Sequence, residues 1–192
     1  VVTFISLTLG ITSLKFAFEA NWEMAVGFIV FASFLDNLDG KIARLLKSNS
    51  NFGVELDSLS DFISFGIAPV VTVYFWNISD NITNGWAIVV FYAICSSSRL
   101  AKFNLVSLEG EKTNMKFFQG ISTPAAAGAI LLPMMISFRF DTIFFNQPLI
   151  SILIIIIVSV LMISNIPTFS LKGLSLNKKM IPFFLFLFAG LI

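Results

Sequence analysis

Four aspartates stand out because they lie in or beside apolar segments, where a charged side chain is costly. Asp36 and Asp39 lie near the end of one segment, and Asp57 and Asp61 lie at the start of the next. A charge within a membrane span costs at least about 2.5 kcal/mol. Four carboxylates at one depth repel each other unless cations sit between them. Oxygen ligands without histidine or cysteine suit Mg²⁺, Mn²⁺ or Ca²⁺.

Helical spacing predicts that these carboxylates converge. One helix face, at i, i+3, i+4 and i+7, carries Asp36, Asp39, Gly40 and Ala43. Asp57 and Asp61 are at i and i+4, which also places them on one face. The link between the two helices, at about residues 47–54, is short and polar, which predicts antiparallel neighbours. The two acidic faces are therefore expected to meet.

Small side chains and an arginine beside the acids indicate a phosphate ligand. Gly40 and Ala43 leave room for a group to approach the backbone, and Arg44 offers a guanidinium fork that suits phosphate oxygens. Each feature alone also fits a solvated helix end or close helix packing. Together with acids that suit divalent cations, they favour a diphosphate site.

The composition predicts that membrane helices position these residues. The chain has 192 residues, 57% hydrophobic and 12% charged, with a mean hydropathy of +0.92. Soluble domains average about 45–50% apolar and about 25% charged residues. Seven apolar stretches cover residues 1–18, 23–46, 56–78, 84–108, 120–139, 147–165 and 181–192. We expect an all-α, polytopic membrane bundle of about seven or more transmembrane helices, a single domain over residues 1–192 with both ends incomplete.

Basic residues are distributed unequally between the two sides of this topology. One side has ten lysines and arginines, whereas the other has Lys15 and Arg139. Basic loops remain in the cytoplasm. The four aspartates are therefore expected at the cytoplasmic face of the cell membrane.

The composition also excludes several classes of site. The chain has no histidine, which excludes histidine-dependent triads and HExxH zinc sites. One cysteine, Cys95, excludes an internal disulfide framework and a multi-cysteine metal site. A net charge of +1 gives no indication of a nucleic-acid partner.

The aspartates belong to a longer pattern that resembles the signature of the CDP-alcohol phosphatidyltransferase family. The pattern D-x2-D-G-x2-A-R-x8-G-x3-D-x3-D is met at Asp36, Asp39, Gly40, Ala43, Arg44, Gly53, Asp57 and Asp61. Eight fixed positions coincide by chance in on the order of one chain in 10⁸. Segments 52–69, 98–104 and 118–126 also resemble the family members that use L-serine as the acceptor.

The resemblance implies transfer of the phosphatidyl group from CDP-diacylglycerol to L-serine, with release of CMP, by a homodimer among membrane lipids. It implies two divalent cations, Mg²⁺ or Mn²⁺, held by Asp36, Asp39, Asp57 and Asp61, with Asp61 also the general base. It implies CDP-diacylglycerol contacts from Thr3, Gly40, Ala43, Arg44, Ser50 and Gly53. Candidates for binding serine are Arg99 and Lys102, with Asn104, Gln119 and Thr123 as polar partners.

Two alternatives stay open. The same chemistry could use inositol phosphate or glycerol 3-phosphate, although a phosphorylated acceptor needs more basic residues than Arg99 and Lys102. A cation transporter would also use buried acids, but it predicts acids spread over several helices near the middle of the membrane. Acids on two adjacent helices beside an arginine favour a phosphate substrate.

Overall fold

Helices form almost all of the computed structural model, which describes residues 2–46, 51–108, 117–140, 145–164 and 167–169. The α-helices in these residues are α1 (Val2–Phe18), α2 (Trp22–Leu46), α3 (Asn51–Asp61), α4 (Ala68–Val73), α5 (Trp86–Leu108), α6 (Thr123–Arg139) and α7 (Pro148–Ile163). A first π segment, Phe62–Ile67, joins α3 to α4, and a second, Tyr74–Ile78, follows α4. Residues 51–78 therefore run as one continuous helix.

Six of the seven predicted stretches coincide with these helices, and stretch 181–192 lies outside the described residues. The third helix begins earlier than predicted, at Asn51 rather than residue 56, so part of the expected link at 47–54 is helical. The all-α prediction also misses a short antiparallel pair of strands, β1 (Phe117–Gln119) and β2 (Pro167–Phe169). In this pair Phe117 lies opposite Phe169.

The described helices have the length and surface of membrane helices. Phe52–Ile78 and Trp86–Leu105 are long and apolar enough to cross a bilayer, and three shorter helices are also apolar. Large apolar side chains remain exposed along the bundle, as at Phe4, Ile94 and Leu149, which are 55%, 56% and 67% exposed. Apolar surface on this scale suits contact with lipid rather than water. These features indicate a membrane protein, and seven or more spans stay a prediction.

Small hydroxyl side chains hold α1 against the next two helices. The Ser60 hydroxyl donates to the Thr3 carbonyl at 3.2 Å, and the Ser64 hydroxyl donates to the Ser6 carbonyl at 3.3 Å. The Ser6 hydroxyl donates in turn to the carbonyl of Ala32 on α2, also at 3.3 Å. Small polar residues of this kind allow membrane helices to approach closely. α1 thereby fixes α2 and α3, which carry the aspartates, relative to each other.

The buried core surrounds α4. All six of its residues, Ala68–Val73, are buried. Ile130 and Met134 of α6 and Ile155 of α7 are buried in the same cluster. The helix that carries Asp57 and Asp61 in α3 therefore continues into the buried core at α4.

Candidate functional site

Three of the four predicted acids come together as a carboxylate cluster of Asp36, Asp57 and Asp61. A carboxylate oxygen of each lies within 4.8 Å of those of the other two. α2 supplies Asp36. α3 supplies Asp57 and Asp61, which are one turn apart on the same face of that helix. Asp36 and Asp61 are half-buried. Negative charges this close repel each other, and partial burial removes some of the water that would screen them.

The carboxylate cluster fits a divalent cation. Two oxygen ligands of one Ca²⁺ ion, each about 2.3–2.6 Å from it, lie at most about 5 Å apart, whereas those of Mg²⁺, at about 2.0–2.1 Å, lie at most about 4 Å apart. The spacing within 4.8 Å meets the Ca²⁺ limit for all three pairs, and the smaller Mg²⁺ needs a slight closing of the cluster wherever a pair lies near that upper bound. Carboxylate oxygens are ligands for hard cations such as Mg²⁺, Mn²⁺ and Ca²⁺. The geometry therefore supports a cation site, and it does not distinguish between these ions.

The helix α2 continues from Asp36 through Asp39, Gly40, Ala43 and Arg44, which follow along its last turns. The side chains of these four residues lie outside the described part of the structure, as does the whole of Ser50. Their predicted contacts with cations and CDP-diacylglycerol stay predictions.

The other two predicted contacts for CDP-diacylglycerol lie at the ends of helices near the carboxylate cluster. Thr3 is in the first turn of α1, and its carbonyl accepts the hydrogen bond from Ser60, the residue before Asp61. Gly53 is in the first turn of α3, one turn before Asp57, and it is half-buried. Both residues therefore lie on elements that border the carboxylate cluster, and their contact with a nucleotide stays a prediction.

Arg99 of α5 connects the carboxylate cluster to α6. Its Nη1 donates to the Thr123 hydroxyl at 3.1 Å, and its positive charge interacts with Asp61. Thr123 is buried, and Arg99 is half-buried. The Nε of Arg99 is also buried and has no hydrogen-bond partner among the described atoms. The structure thus brings together two of the predicted serine-binding residues, and the charge of Arg99 acts on Asp61.

The remaining serine-binding candidates are not assembled in this way. Asn104 accepts a hydrogen bond from the Ser58 hydroxyl at 2.9 Å, and its amide donates to Glu55 at 3.3 Å. Lys102 is exposed, and Gln119 is in β1 with its side chain outside the described part. Sequence reasoning missed Ser58 and Glu55. These residues precede Asn104 by 46 and 49 positions in the chain, and contacts over such separations leave no local signal.

Comparison with known families decides what kind of protein carries this site. The model of the family described as CDP-alcohol phosphatidyltransferase matches residues 1–165. The chain belongs to this family. The match covers every described helix, including both that form the carboxylate cluster, so it extends far beyond the signature pattern.

Curated relatives of this CDP-alcohol phosphatidyltransferase family member have a common name, CDP-diacylglycerol–serine O-phosphatidyltransferase. The Mycobacterium leprae protein is 34% identical over 168 residues, which cover 86% of this chain and 56% of that protein. The Helicobacter pylori (strain 26695) protein is 33% identical over 175 residues, covering 91% and 73%. The Methanocaldococcus jannaschii protein is 34% identical over 140 residues, covering 72% and 60%. The chain thus spans little more than half the length of the Mycobacterium leprae relative.

Proposed function

We propose that this protein transfers the phosphatidyl group of CDP-diacylglycerol to the hydroxyl of L-serine, giving phosphatidylserine and CMP. The observation that carries the proposal is the carboxylate cluster, whose Asp61 interacts electrostatically with Arg99, in a chain of the CDP-alcohol phosphatidyltransferase family. The acceptor is proposed from the names of the relatives, which specify serine.

The acids are proposed to hold two divalent cations, Mg²⁺ or Mn²⁺, with Asp36, Asp39, Asp57 and Asp61 as the ligands. Such cations, when bound, neutralise diphosphate charge and stabilise the attacking and leaving oxygens of an in-line displacement. Gly40, Ala43 and Gly53 leave room for the nucleotide. The residues proposed to contact it directly are Thr3, Arg44 and Ser50.

Asp61 is proposed as the general base that takes the proton from the serine hydroxyl. The hydroxyl oxygen then attacks the phosphorus that bears diacylglycerol, and the bond from that phosphorus to the CMP oxygen breaks. CMP leaves with the electron pair of that bond, and the proton remains on Asp61. The base must lie beside the diphosphate, and its place within the carboxylate cluster meets this requirement.

Arg99 is proposed to bind the serine carboxylate. In serine the carboxylate and the carbon that bears the hydroxyl are attached to one carbon atom, so a cation and a base that lie side by side match both groups. The electrostatic interaction between Arg99 and Asp61 supports such an arrangement, and Arg99 also donates a hydrogen bond to Thr123. Lys102, Asn104 and Gln119 are proposed as secondary contacts.

The charge around Arg99 favours serine over a phosphorylated acceptor. A phosphate group carries more negative charge than a carboxylate and is typically bound by several cations. On α5, the next basic residue after Arg99 is Lys102, whose side chain is exposed. Two basic residues on α5 are few for binding a phosphorylated acceptor. Inositol phosphate and glycerol 3-phosphate stay the alternative acceptors.

The cellular setting is proposed from the topology and the family resemblance. We place the protein in the cell membrane as a single domain with its active site at the cytoplasmic face, because the basic residues concentrate there. The protein is also proposed to act as a homodimer. CDP-diacylglycerol would reach it from the lipid phase, and serine would reach it from the cytoplasm.

A comparison of acceptors tests the proposal. Purified protein in mixed micelles receives CDP-diacylglycerol, Mg²⁺ or Mn²⁺, and serine, inositol phosphate or glycerol 3-phosphate in separate reactions. We expect phosphatidylserine and equimolar CMP with serine, and neither product when the cations are chelated. Product with a phosphorylated acceptor instead would reassign the substrate. No product with any of these hydroxyl acceptors, together with metal flux in vesicles, would favour a cation transporter.

A further inference from the structure

The helix that carries Asp57 and Asp61 changes its winding directly after Asp61. In the first π segment the backbone N–H of Ala68 bonds to the carbonyl of Ile63, five residues back rather than four. Pro69 gives a reason for the change, because a proline has no N–H to donate to the carbonyl four residues before it. In α-helical winding that carbonyl is the one of Phe65, and in the five-residue winding of this segment it is the one of Ser64. π-helical turns within α-helices occur frequently at functional sites.

A buried tyrosine donates a hydrogen bond to the backbone of the first π segment. The Tyr92 hydroxyl of α5 donates to the Phe65 carbonyl at 3.2 Å, and both side chains are completely buried. A buried carbonyl without a partner is unfavourable, because no water can replace the missing donor. The hydrogen bond therefore ties α5 to the first π segment at a defined height and rotation.

The face of α5 that carries Tyr92 continues along the helix towards the carboxylate cluster. Tyr92, Ser96 and Arg99 are at i, i+4 and i+7, which places them on one side of the helix. Ser96 lies against Gly66 of the first π segment so closely that a Cβ on Gly66 would be 2.6 Å from the Ser96 hydroxyl. Arg99, at the end of this face, interacts with Asp61. Two contacts with the first π segment thus hold the face of α5 that carries Arg99.

We propose that Tyr92 is a positioning residue that sets the position of Arg99 relative to Asp61 through its hydrogen bond to the Phe65 carbonyl. This inference rests on the proposed function, since it concerns the alignment of the proposed base and the proposed carboxylate-binding cation. Tyr92 itself does not touch the substrates in this scheme. Its hydroxyl fixes the relative position of α5 and α3, and the catalytic rate depends on that position.

The test replaces the hydroxyl alone. Tyr92→Phe keeps the buried ring, and Tyr74→Phe, at the other tyrosine of the chain, is the matched control because its ring packs against Phe75 and Trp86. We expect Tyr92→Phe to lower kcat about tenfold, since small misplacements of reacting groups have large effects on rate. The KM for CDP-diacylglycerol should stay within twofold, and Tyr74→Phe should leave both constants unchanged.

A double-variant cycle distinguishes positioning from general weakening of the fold. Arg99→Lys keeps the positive charge but loses the planar fork, so Tyr92→Phe should have less than a twofold further effect on kcat in that background. The proposal would be overturned if Tyr92→Phe lowered kcat by the same factor in the Arg99→Lys background as in the wild-type protein. An unchanged kcat in Tyr92→Phe alone would also overturn it.

Hydrogen–deuterium exchange separates this inference from the proposed function. Tyr92→Phe should speed amide exchange in residues 62–70 relative to Tyr74→Phe, because the tie between α5 and the first π segment is lost. If the wild-type protein transfers phosphatidyl groups to no acceptor, the proposed function fails, and exchange alone decides whether the tie exists. Identical exchange in both variants would then overturn it.

Discussion

At the scale of single residues, Asp61 has two kinds of neighbour. It belongs to the carboxylate cluster, and it also interacts electrostatically with Arg99. The sequence predicted the cluster because Asp57 and Asp61 are one helical turn apart, a spacing visible within five residues. The pairing of Arg99 with Thr123 spans 24 residues and depends on how α5 packs on α6, so the sequence could name both residues but not their contact.

Asp61→Asn tests the role of the proposed base. The amide has nearly the same shape but cannot accept the hydroxyl proton, so kcat should fall by about 10²–10⁴-fold at saturating Mn²⁺. Binding of CDP-diacylglycerol, followed by calorimetry in detergent, should remain measurable. Asp80→Asn, at an exposed acid beyond the second π segment, is the control. Near-normal turnover of Asp61→Asn would exclude it as the base.

Arg99→Ala tests the proposed contact with the serine carboxylate. Loss of a charged hydrogen-bond donor costs about 1.5–3 kcal/mol, so the KM for serine should rise by roughly 10- to 100-fold. The KM for CDP-diacylglycerol should change much less. Arg139→Ala in the last turn of α6 is a control, because that side chain is exposed. An unchanged KM for serine would show that another group binds the carboxylate.

At the scale of elements, the hydrophobic pattern predicted where the helices occur, but it did not predict which segments are wound as π-helix rather than α-helix. The six described stretches were found to within a few residues because long apolar runs are strong signals. The two π segments were missed, since a hydrophobic pattern does not distinguish α from π winding; the first of them precedes Pro69 and accepts a hydrogen bond from α5. The strand pair was missed because β1 and β2 have three residues each and lie far apart in the chain.

Gly66→Ala tests the close packing of α5 on the first π segment. The added Cβ would lie 2.6 Å from the Ser96 hydroxyl and 2.9 Å from the Phe62 ring, so we expect a destabilisation of about 1–3 kcal/mol. Thermal unfolding in detergent measures it.

Two further variants make the Gly66 result specific. Gly128→Ala adds a Cβ with no atom within 4 Å among those described, and it should be stabilising by roughly 0.5–1 kcal/mol. Ser96→Ala removes the hydroxyl that Gly66→Ala would meet, so the double variant should regain much of the lost stability. Equal stability of Gly66→Ala and Gly128→Ala would show that the two helices are not tightly packed there.

At the scale of the whole molecule, the distribution of charge predicts which side of the membrane each end of α5 faces. Lys102 lies near the end of α5 that carries the basic residues, whereas Asp80 precedes the other end. The positive-inside rule predicts that Lys102 lies on the cytoplasmic side and Asp80 on the outer side. Under the proposed function, this predicted orientation would give the site access to cytoplasmic serine.

Cysteine labelling tests this orientation. The chain has one cysteine, Cys95, which is 1% exposed and should give little background. In intact cells, a membrane-impermeant maleimide should label Asp80→Cys but not Lys102→Cys, and both should react after permeabilisation. Both native side chains are exposed, so accessibility within the fold is matched. Labelling of Lys102→Cys in intact cells would reverse the topology.

The central claim is that Asp36, Asp57 and Asp61 form a site for divalent cations. Titration of the purified protein with Mn²⁺, followed by electron paramagnetic resonance of the free ion, measures this binding without reference to turnover. We expect Asp36→Asn and Asp57→Asn each to weaken binding by more than about tenfold, because each removes a charged ligand, whereas Asp80→Asn should bind as the wild type does. Equal Mn²⁺ affinity and stoichiometry in all four proteins would contradict the account.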